Sequence, residues 1–277
     1  MITTMSRITA VDRHGTRLRS VLDAASVPVG TTLVELHTDG TPDLSRFRML
    51  SALEQRIVRH AVPLRKSDFG DARWCAHEAL RLWRESGGVY GAGDASDVAG
   101  AVGAVGAGDA VSAAPVLRGL KGMPLFPAGV VGSLSHTEGL RAALVGPADR
   151  WRSLGIDVER AVPLPAGVLH SVTSPVERWQ LELAAGDDID PDVLGTVLFS
   201  AKECVYKSWF PLAERFLDFD GAEVTLTVDH VLPHHRSPEV RGSWVARLLA
   251  DPTPVDEIHG SWVVRDGYVA TVGAVDQ

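Results

Sequence analysis

Residues 199–209 constrain the fold more than any other stretch, because they carry a helix start and a helical stripe together. Ser200 is followed three residues later by Glu203. That is the form of a capping box, in which each side chain satisfies a backbone N–H of the first turn. A helix is therefore predicted to begin at Ser200. Ala201, Cys204, Val205, Trp209 and Leu212 recur at helical spacing and make its core-facing stripe. Lys202, Glu203, Tyr206 and Lys207 fall off that stripe, so a carboxylate and two ammonium groups share one face. The plain alternative is a capped surface helix with a Glu203–Lys207 ion pair at i,i+4, worth only about 0.2–0.5 kcal/mol.

A second stretch bears on that choice. After Gly155, Ile156 and Val158 alternate with Asp157 and Glu159. A period of two puts both carboxylates on one side of a strand, where they can share one cation. Hard oxygen donors of this kind suit Mg2+, which keeps positions for water and substrate phosphates. An edge strand with a solvated acidic face is the alternative. Upstream, an apolar strand from Val130 is expected to run into a small-residue turn with Ser135 and His136 at its tip. Small residues admit a ligand close to the backbone, and a hydroxyl and an imidazole offer donors to a phosphate. A hydrogen-bonded loop histidine is the competing account.

In this order and spacing the three segments resemble the phosphopantetheinyl transferases, in particular the two-part monomeric branch that serves siderophore, non-ribosomal peptide and polyketide assembly lines. The motifs are the Ser135-His136 pair, the Asp157 and Glu159 strand, and the Lys202-Glu203 pair with Lys207. Arg65, Lys66, Phe69, Arg73, Cys75 and Ala76 fit the same branch, as do Lys121 and Pro124 ahead of Phe126 and Pro127. The likeness covers residues 53–217. It implies an α/β (α+β) fold of two pseudo-symmetric halves, each a small sheet packed with helices. We expect an N-terminal subdomain over residues 1–153 and a C-terminal one over 154–277.

The resemblance also implies the chemistry: Mg2+-dependent transfer of 4′-phosphopantetheine from coenzyme A to a serine of an acyl or peptidyl carrier protein, releasing adenosine 3′,5′-bisphosphate. Asp157, Glu159 and Glu203 would hold Mg2+, with Mn2+ an acceptable substitute. Arg65, Lys66, Arg73, Lys121, Ser135, His136, Lys202 and Lys207 would hold coenzyme A. Attack at phosphorus requires charge neutralisation, a positioned alcohol and a proton acceptor. Glu203 with Lys207 supplies the catalytic pair, and a water relaying the serine proton serves as well as Glu203 itself. A metal-dependent phosphodiesterase could use the same acids, but it leaves Arg65 and Lys121 without a task. A non-catalytic coenzyme A-binding regulatory module could dispense with the acids, yet all three are present.

Composition removes other classes. The 277 residues are 45% hydrophobic, enough for a sizeable core, and the formal net charge of −8 argues against a nucleic-acid surface. The first residues hold no continuous apolar run, so neither a signal nor a membrane span is expected and the protein is placed in the cytoplasm, with a monomer implied by the family. Cys75 and Cys204 are expected as reduced thiols.

Along the chain, helices are expected over 16–25 and 48–60, the second opened by a Ser51/Glu54 capping box, with a strand over 31–37 between them. A further helix is expected from Ser67 or Asp68 to about residue 85, with Arg65, Lys66 and Arg73 at or near its N-terminus, where free amides favour an anion. Residues 86–115, rich in Gly, Ala, Ser and Asp, read as a flexible insertion with no P-loop Lys-Ser/Thr. Thr173 or Ser174 with Pro175 starts a helix carrying Trp179 and Leu183, residues 187–191 break it, and Pro211 should end or kink the Ser200 helix. Strands follow over 222–228, 243–249 and 261–275, the last folded back at Asp266 and Gly267.

Overall fold

The computed structural model describes residues 5–90, 114–186, 189–232 and 239–277, and the Gly/Ala-rich part of the expected insertion lies outside them. Among the described residues the first sheet holds four strands in the order β1 (Arg7–Asp12), β2 (Thr32–His37), β6 (Leu140–Pro147) and β5 (Val130–Thr137). β1 and β2 are parallel; the other neighbours are antiparallel. The second sheet holds five antiparallel strands, ordered β7 (Trp151–Arg160), β11 (Tyr268–Asp276), β10 (Glu257–Arg265), β9 (Glu239–Leu248) and β8 (Ala222–Leu232). A two-strand ribbon joins β3 (Leu117–Arg118) to β4 (Pro124–Leu125).

Strand alternation sorts the side chains into layers. On β2, Val34 and Leu36 face the long helix α3 (Pro63–Glu85), packing on its Ala76, Leu80 and Trp83, while Leu33 faces the second sheet. On β7, Ile156 and Val158 join Leu33, Leu144 and Val272 between the sheets. The opposite face of the second sheet meets α6 (Pro191–Ala213), whose Leu194, Val197, Ala201 and Cys204 pack with Trp244, Trp262 and Val269. The order is thus helix, sheet, sheet, helix, and Asp157 and Glu159 lie on the α6 side of β7. Gly155 sets the spacing there: a Cβ at that position would lie 2.3 Å from Ser208 Oγ and 2.5 Å from the Cys204 carbonyl.

Several expected boundaries move. α6 starts nine residues before Ser200, at Pro191, with Asp190 as its cap, so Ser200 and Glu203 are no capping box. Residues 191–199 are already helical and their successors' amides already bonded, which leaves both side chains free. Pro211 falls in the last turn, before Glu214 at φ 50°. α3 begins at Pro63 rather than at Ser67 or Asp68, which puts Arg65 and Lys66 in its first turn and Arg73 well inside it. Residues 16–25 form no helix; the Glu35 carboxylate on β2 accepts from the Val21 and Leu22 amides at 2.9 and 3.4 Å and draws the segment out over the sheet. The expected helix over 48–60 is two short ones, α1 (Ser45–Met49) and α2 (Ala52–Ile57), because Ser51 and Glu54 do form a capping box and so start a new helix. β5 runs through Ser135 and His136, and the turn comes after them, at Glu138 and Gly139.

Other readings hold. After a short α4 (Val168–Val172), α5 (Pro175–Ala185) starts at a Ser174/Glu177 capping box with Pro175 first. β10 and β11 fold at Asp266 (φ 51°) and Gly267 (φ 79°), the two positive φ values of a tight hairpin. Cys75 and Cys204 are buried free thiols whose pKa burial pushes up. β1 has no counterpart in the sequence expectations.

Candidate active site

β7, β5 and α6 meet where β5 lies beside β7, and their polar side chains converge on Asp157. Its Oδ1 accepts from Lys207 Nζ at 2.6 Å and from Ser135 Oγ at 2.9 Å; its Oδ2 accepts from Ser200 Oγ at 2.8 Å. Lys207 Nζ also donates to Ser135 Oγ (3.0 Å) and to the Ile156 carbonyl (3.2 Å). Ser135 in turn accepts from the Val158 amide. The side chain read as a helix cap, Ser200, is fully buried and orients the carboxylate, with Thr271 Oγ1 3.0 Å behind it.

Glu159 and Glu203 flank this centre. Burial raises the Glu159 pKa to about 7, repulsion from Asp157 and Glu203 adds to it, and Lys207 and the Thr137 hydroxyl, 3.3 Å away, only partly offset it. Burial and then Asp157 also raise Glu203, against Lys207. Lys207 answers in kind: burial is the largest influence and opposes its charge, but Asp157 and Glu203 together more than offset it and hold the ammonium's pKa above its usual value. The three acids therefore feel one another, as a shared cation would require. All their donors are hard oxygens, and two of the three are only half-buried. Among the described residues no three acidic, histidine or cysteine side chains are already closed into a cation-holding group. The donor set fits a divalent cation; Asp157 is at present satisfied by Lys207 and two hydroxyls.

Beyond His136 a cleft of about 280 Å³ is lined by Arg65, Asp68, Arg73, Arg118, Lys121 and His136. Four cations face one acid, and that acid, Asp68, is paired with Arg141. Arg73 is buried, stacked 4.5 Å over Phe69 and held by the Val116 carbonyl at 2.8 Å; burial lowers its pKa to about 10. Arg65 Nη1 lies 3.3 Å from His136 Nε2, and burial lowers the His136 pKa, with Asp68 opposing it and Arg141, Arg65 and Lys207 adding to it. Lys121 reaches the cleft from a 3-10 turn in which it adopts φ 52°, a conformation unfavourable for a side chain with a Cβ. A recess of about 210 Å³, lined by Lys121, Met123, Leu134, Tyr206, Phe210, Glu203 and Lys207, connects the cleft to the acids.

Two expected site residues stand elsewhere. Lys202 does not share the Glu203 and Lys207 centre: it is buried, its Nζ 2.9 Å from Glu177 Oε1 and bonded to the Phe219 and Ala222 carbonyls at 2.7 and 3.1 Å. Five residues from Lys207, it points to another side of the helix. Lys66 does not line the cleft. Conversely, Arg118 and Ser200 were not among the expected site residues. Arg118 lies three residues before Lys121, a spacing that carries no helix or strand signal across the intervening Gly119.

The family model for the 4′-phosphopantetheinyl transferase N-terminal domain matches residues 53–146, and that for the 4′-phosphopantetheinyl transferase superfamily matches residues 153–272. The chain is 36% identical over 261 residues to the 4′-phosphopantetheinyl transferase Svp of Streptomyces mobaraensis, covering 91% of this chain and 88% of that protein. Npt of Nocardia iowensis is 32% identical over 225 residues, covering 79% and 86% respectively. PptT of Mycobacterium tuberculosis is 39% identical over 160 residues, covering 56% and 66%. Two matched halves, an acid centre on one and a cationic cleft on the other therefore identify this chain as a member of the 4′-phosphopantetheinyl transferases, enzymes that move the phosphopantetheine arm of coenzyme A onto a carrier-protein serine.

Proposed function

We propose that the cation cleft and the acid centre are the two ends of one coenzyme A site. The terminal phosphate lies among Arg65, Arg73, Arg118 and Lys121, the diphosphate reaches His136 and Lys207, and the apolar recess takes the pantetheine arm. What carries this reading is that Lys121 and Leu134 line both the cleft and the recess, and Glu203 and Lys207 close the recess at its far end. The division of labour follows subdomains 1–153 and 154–277, phosphate cations on the first and acids on the second.

Asp157, Glu159 and Glu203 would hold Mg2+, with Mn2+ acceptable to the same oxygens; the ion supplies Lewis-acid charge neutralisation and a template for the diphosphate. Lys207 neutralises charge on the leaving phosphate, and its tie to Asp157 keeps it charged. Glu203 takes the serine proton: burial raises its proton affinity toward the working range, where a carboxylate is a better base. The serine oxygen bonds to the pantetheine-side phosphorus, the bond to the other phosphate breaks, and adenosine 3′,5′-bisphosphate leaves. A monomeric, cytoplasmic enzyme of secondary metabolism belongs to the same proposal, and gel filtration and cell fractionation test it; no helix among the described residues is long and apolar enough to cross a membrane.

Incubation with coenzyme A, Mg2+ and apo peptidyl and acyl carriers, followed by mass spectrometry, should show the phosphopantetheine mass on the carrier and equimolar adenosine 3′,5′-bisphosphate. Coenzyme A hydrolysis without carrier modification would overturn the reading in favour of a phosphodiesterase.

A further inference from the structure

Three walls of the cationic cleft come from three different elements. α2 ends in it with Ile57 and Val58, α3 supplies Arg65, Phe69 and Arg73, and the ribbon of β3 and β4 supplies Arg118 and Lys121. The cations repel one another across these walls: Arg65 and Arg118 both disfavour the charge on Arg73. Like charges gathered in this way push their supports apart unless something else ties them together.

One buried carboxylate ties all three. Glu54, on α2 and fully buried, accepts through Oε1 from His77 Nε2 on α3 at 2.7 Å and from the Val116 amide at the head of the ribbon at 3.1 Å. Val116 passes the tie on, because its carbonyl accepts from Arg73 Nε at 2.8 Å. Oε2 is held by the Ser51 hydroxyl at 2.8 Å and the Ser51 amide at 3.2 Å. Burial pushes the Glu54 pKa up, but His77, Ser51 and Val116 together more than offset it and hold it below its ordinary value, so the carboxylate stays charged. That charge in turn opposes the burial that lowers the Arg73 pKa. Glu54, His77 and Val116 do not themselves line the cleft.

We propose that Glu54 and His77 are positioning residues for the terminal phosphate of coenzyme A: they hold α2, α3 and the ribbon at the spacing at which Arg65, Arg73, Arg118 and Lys121 grip that phosphate, and so set the preference for coenzyme A over 3′-dephospho-coenzyme A. The inference rests on the placement of coenzyme A given above. Walls fixed before the ligand arrives need no ordering when it binds, and the whole of the charge attraction then counts toward affinity. The two substrates share the diphosphate and the pantetheine arm. Only one carries the phosphate held in the cleft, so loosening the tie weakens that one alone.

The test compares wild type, His77→Leu and His77→Gln, with kcat and KM measured for coenzyme A and for 3′-dephospho-coenzyme A at saturating apo carrier. Leucine favours the helix and removes the donor; glutamine returns an N–H to Glu54. His77→Leu should raise the coenzyme A KM about tenfold, leave that of 3′-dephospho-coenzyme A within about twofold and leave kcat unchanged. His77→Gln should restore the coenzyme A KM. An equal rise for both substrates, which a general loosening of the fold would give, overturns the proposal, and so does no change in either constant. Should circular dichroism show His77→Leu unfolded, His77→Ala decides by the same criteria, since alanine keeps the helix and lets water reach Glu54. The wild type tests the underlying reading separately: one KM for both substrates takes the terminal phosphate out of the cleft, and no carrier modified with either overturns the transfer itself.

Discussion

At and within helices, the pattern of a serine followed three residues later by a glutamate occurs at Ser51 and Glu54, at Ser174 and Glu177, and at Ser200 and Glu203, and it has two different outcomes there; the further instance, Ser135 and Glu138, spans the end of a strand and its turn. At the first two the serine side chain accepts from the glutamate amide and the glutamate reaches back, at 3.3 and 3.2 Å for Ser51 and at 3.1 and 2.7 Å for Ser174. Both glutamates are then buried and recruited further, Glu54 by His77 at 2.7 Å and Glu177 by Lys202. At the third, the helix has already begun, so no free amides are offered. Ser200 turns to Asp157 and Glu203 to the site. The same four-residue pattern caps a helix when it sits at a break and supplies reacting groups when it sits in the middle.

The sharpest way to break that contrast is to neutralise each glutamate. Glu203→Gln should cut the transfer rate by about 10²–10⁴-fold, the range for a lost proton acceptor, with a melting temperature no lower than that of the wild type, since the charge it removes is opposed by burial and Asp157. A destabilised but active Glu203→Gln would mean it behaves like the other two. Next in size, Lys202→Met alone leaves Glu177 buried without its counter-charge and should lower unfolding free energy in urea by about 3–5 kcal/mol.

The third prediction concerns pH. Glu159 holds its proton more tightly folded than unfolded, its pKa being raised from 4.5 to about 7. Its contribution to stability is therefore fully present below about pH 4.5 and is lost as the pH rises through about 7. In chelator, the melting temperature should fall across that window, and Glu159→Gln should flatten the fall. A wild-type profile that Glu159→Gln leaves unaltered would remove Glu159 from the mutually repelling set. The smallest effect belongs to a true cap: Ser51→Ala should lose about 1 kcal/mol of stability and leave the transfer rate untouched.

The parts legible in the sequence were those fixed by neighbours along the chain. Alternation placed Asp157 and Glu159 on one face of β7, and Asp266 with Gly267 gave the hairpin turn. The start of α5 at Ser174 and Pro175 was equally local. What escaped depends on distant partners. The Val21 and Leu22 amides of the segment over 16–25 are taken by Glu35 on a later strand, and Lys202 is claimed by a glutamate 25 residues before it. Arg118 becomes a cleft residue only when the ribbon of β3 and β4 folds next to α3. Helical periodicity put Lys202 and Lys207 on one face; the bound partners separate them.

Gly155 carries a consequence for evolution and engineering alike. With hydrogen where any other residue has carbon, the strand lets the Cys204 carbonyl and the Ser208 hydroxyl rest directly on its backbone. A single methyl group there would act as a shim between the acid-bearing strand and the helix that brings Glu203 and Lys207. Reactivity in this enzyme is thus gauged by the thinnest spacer a protein can make.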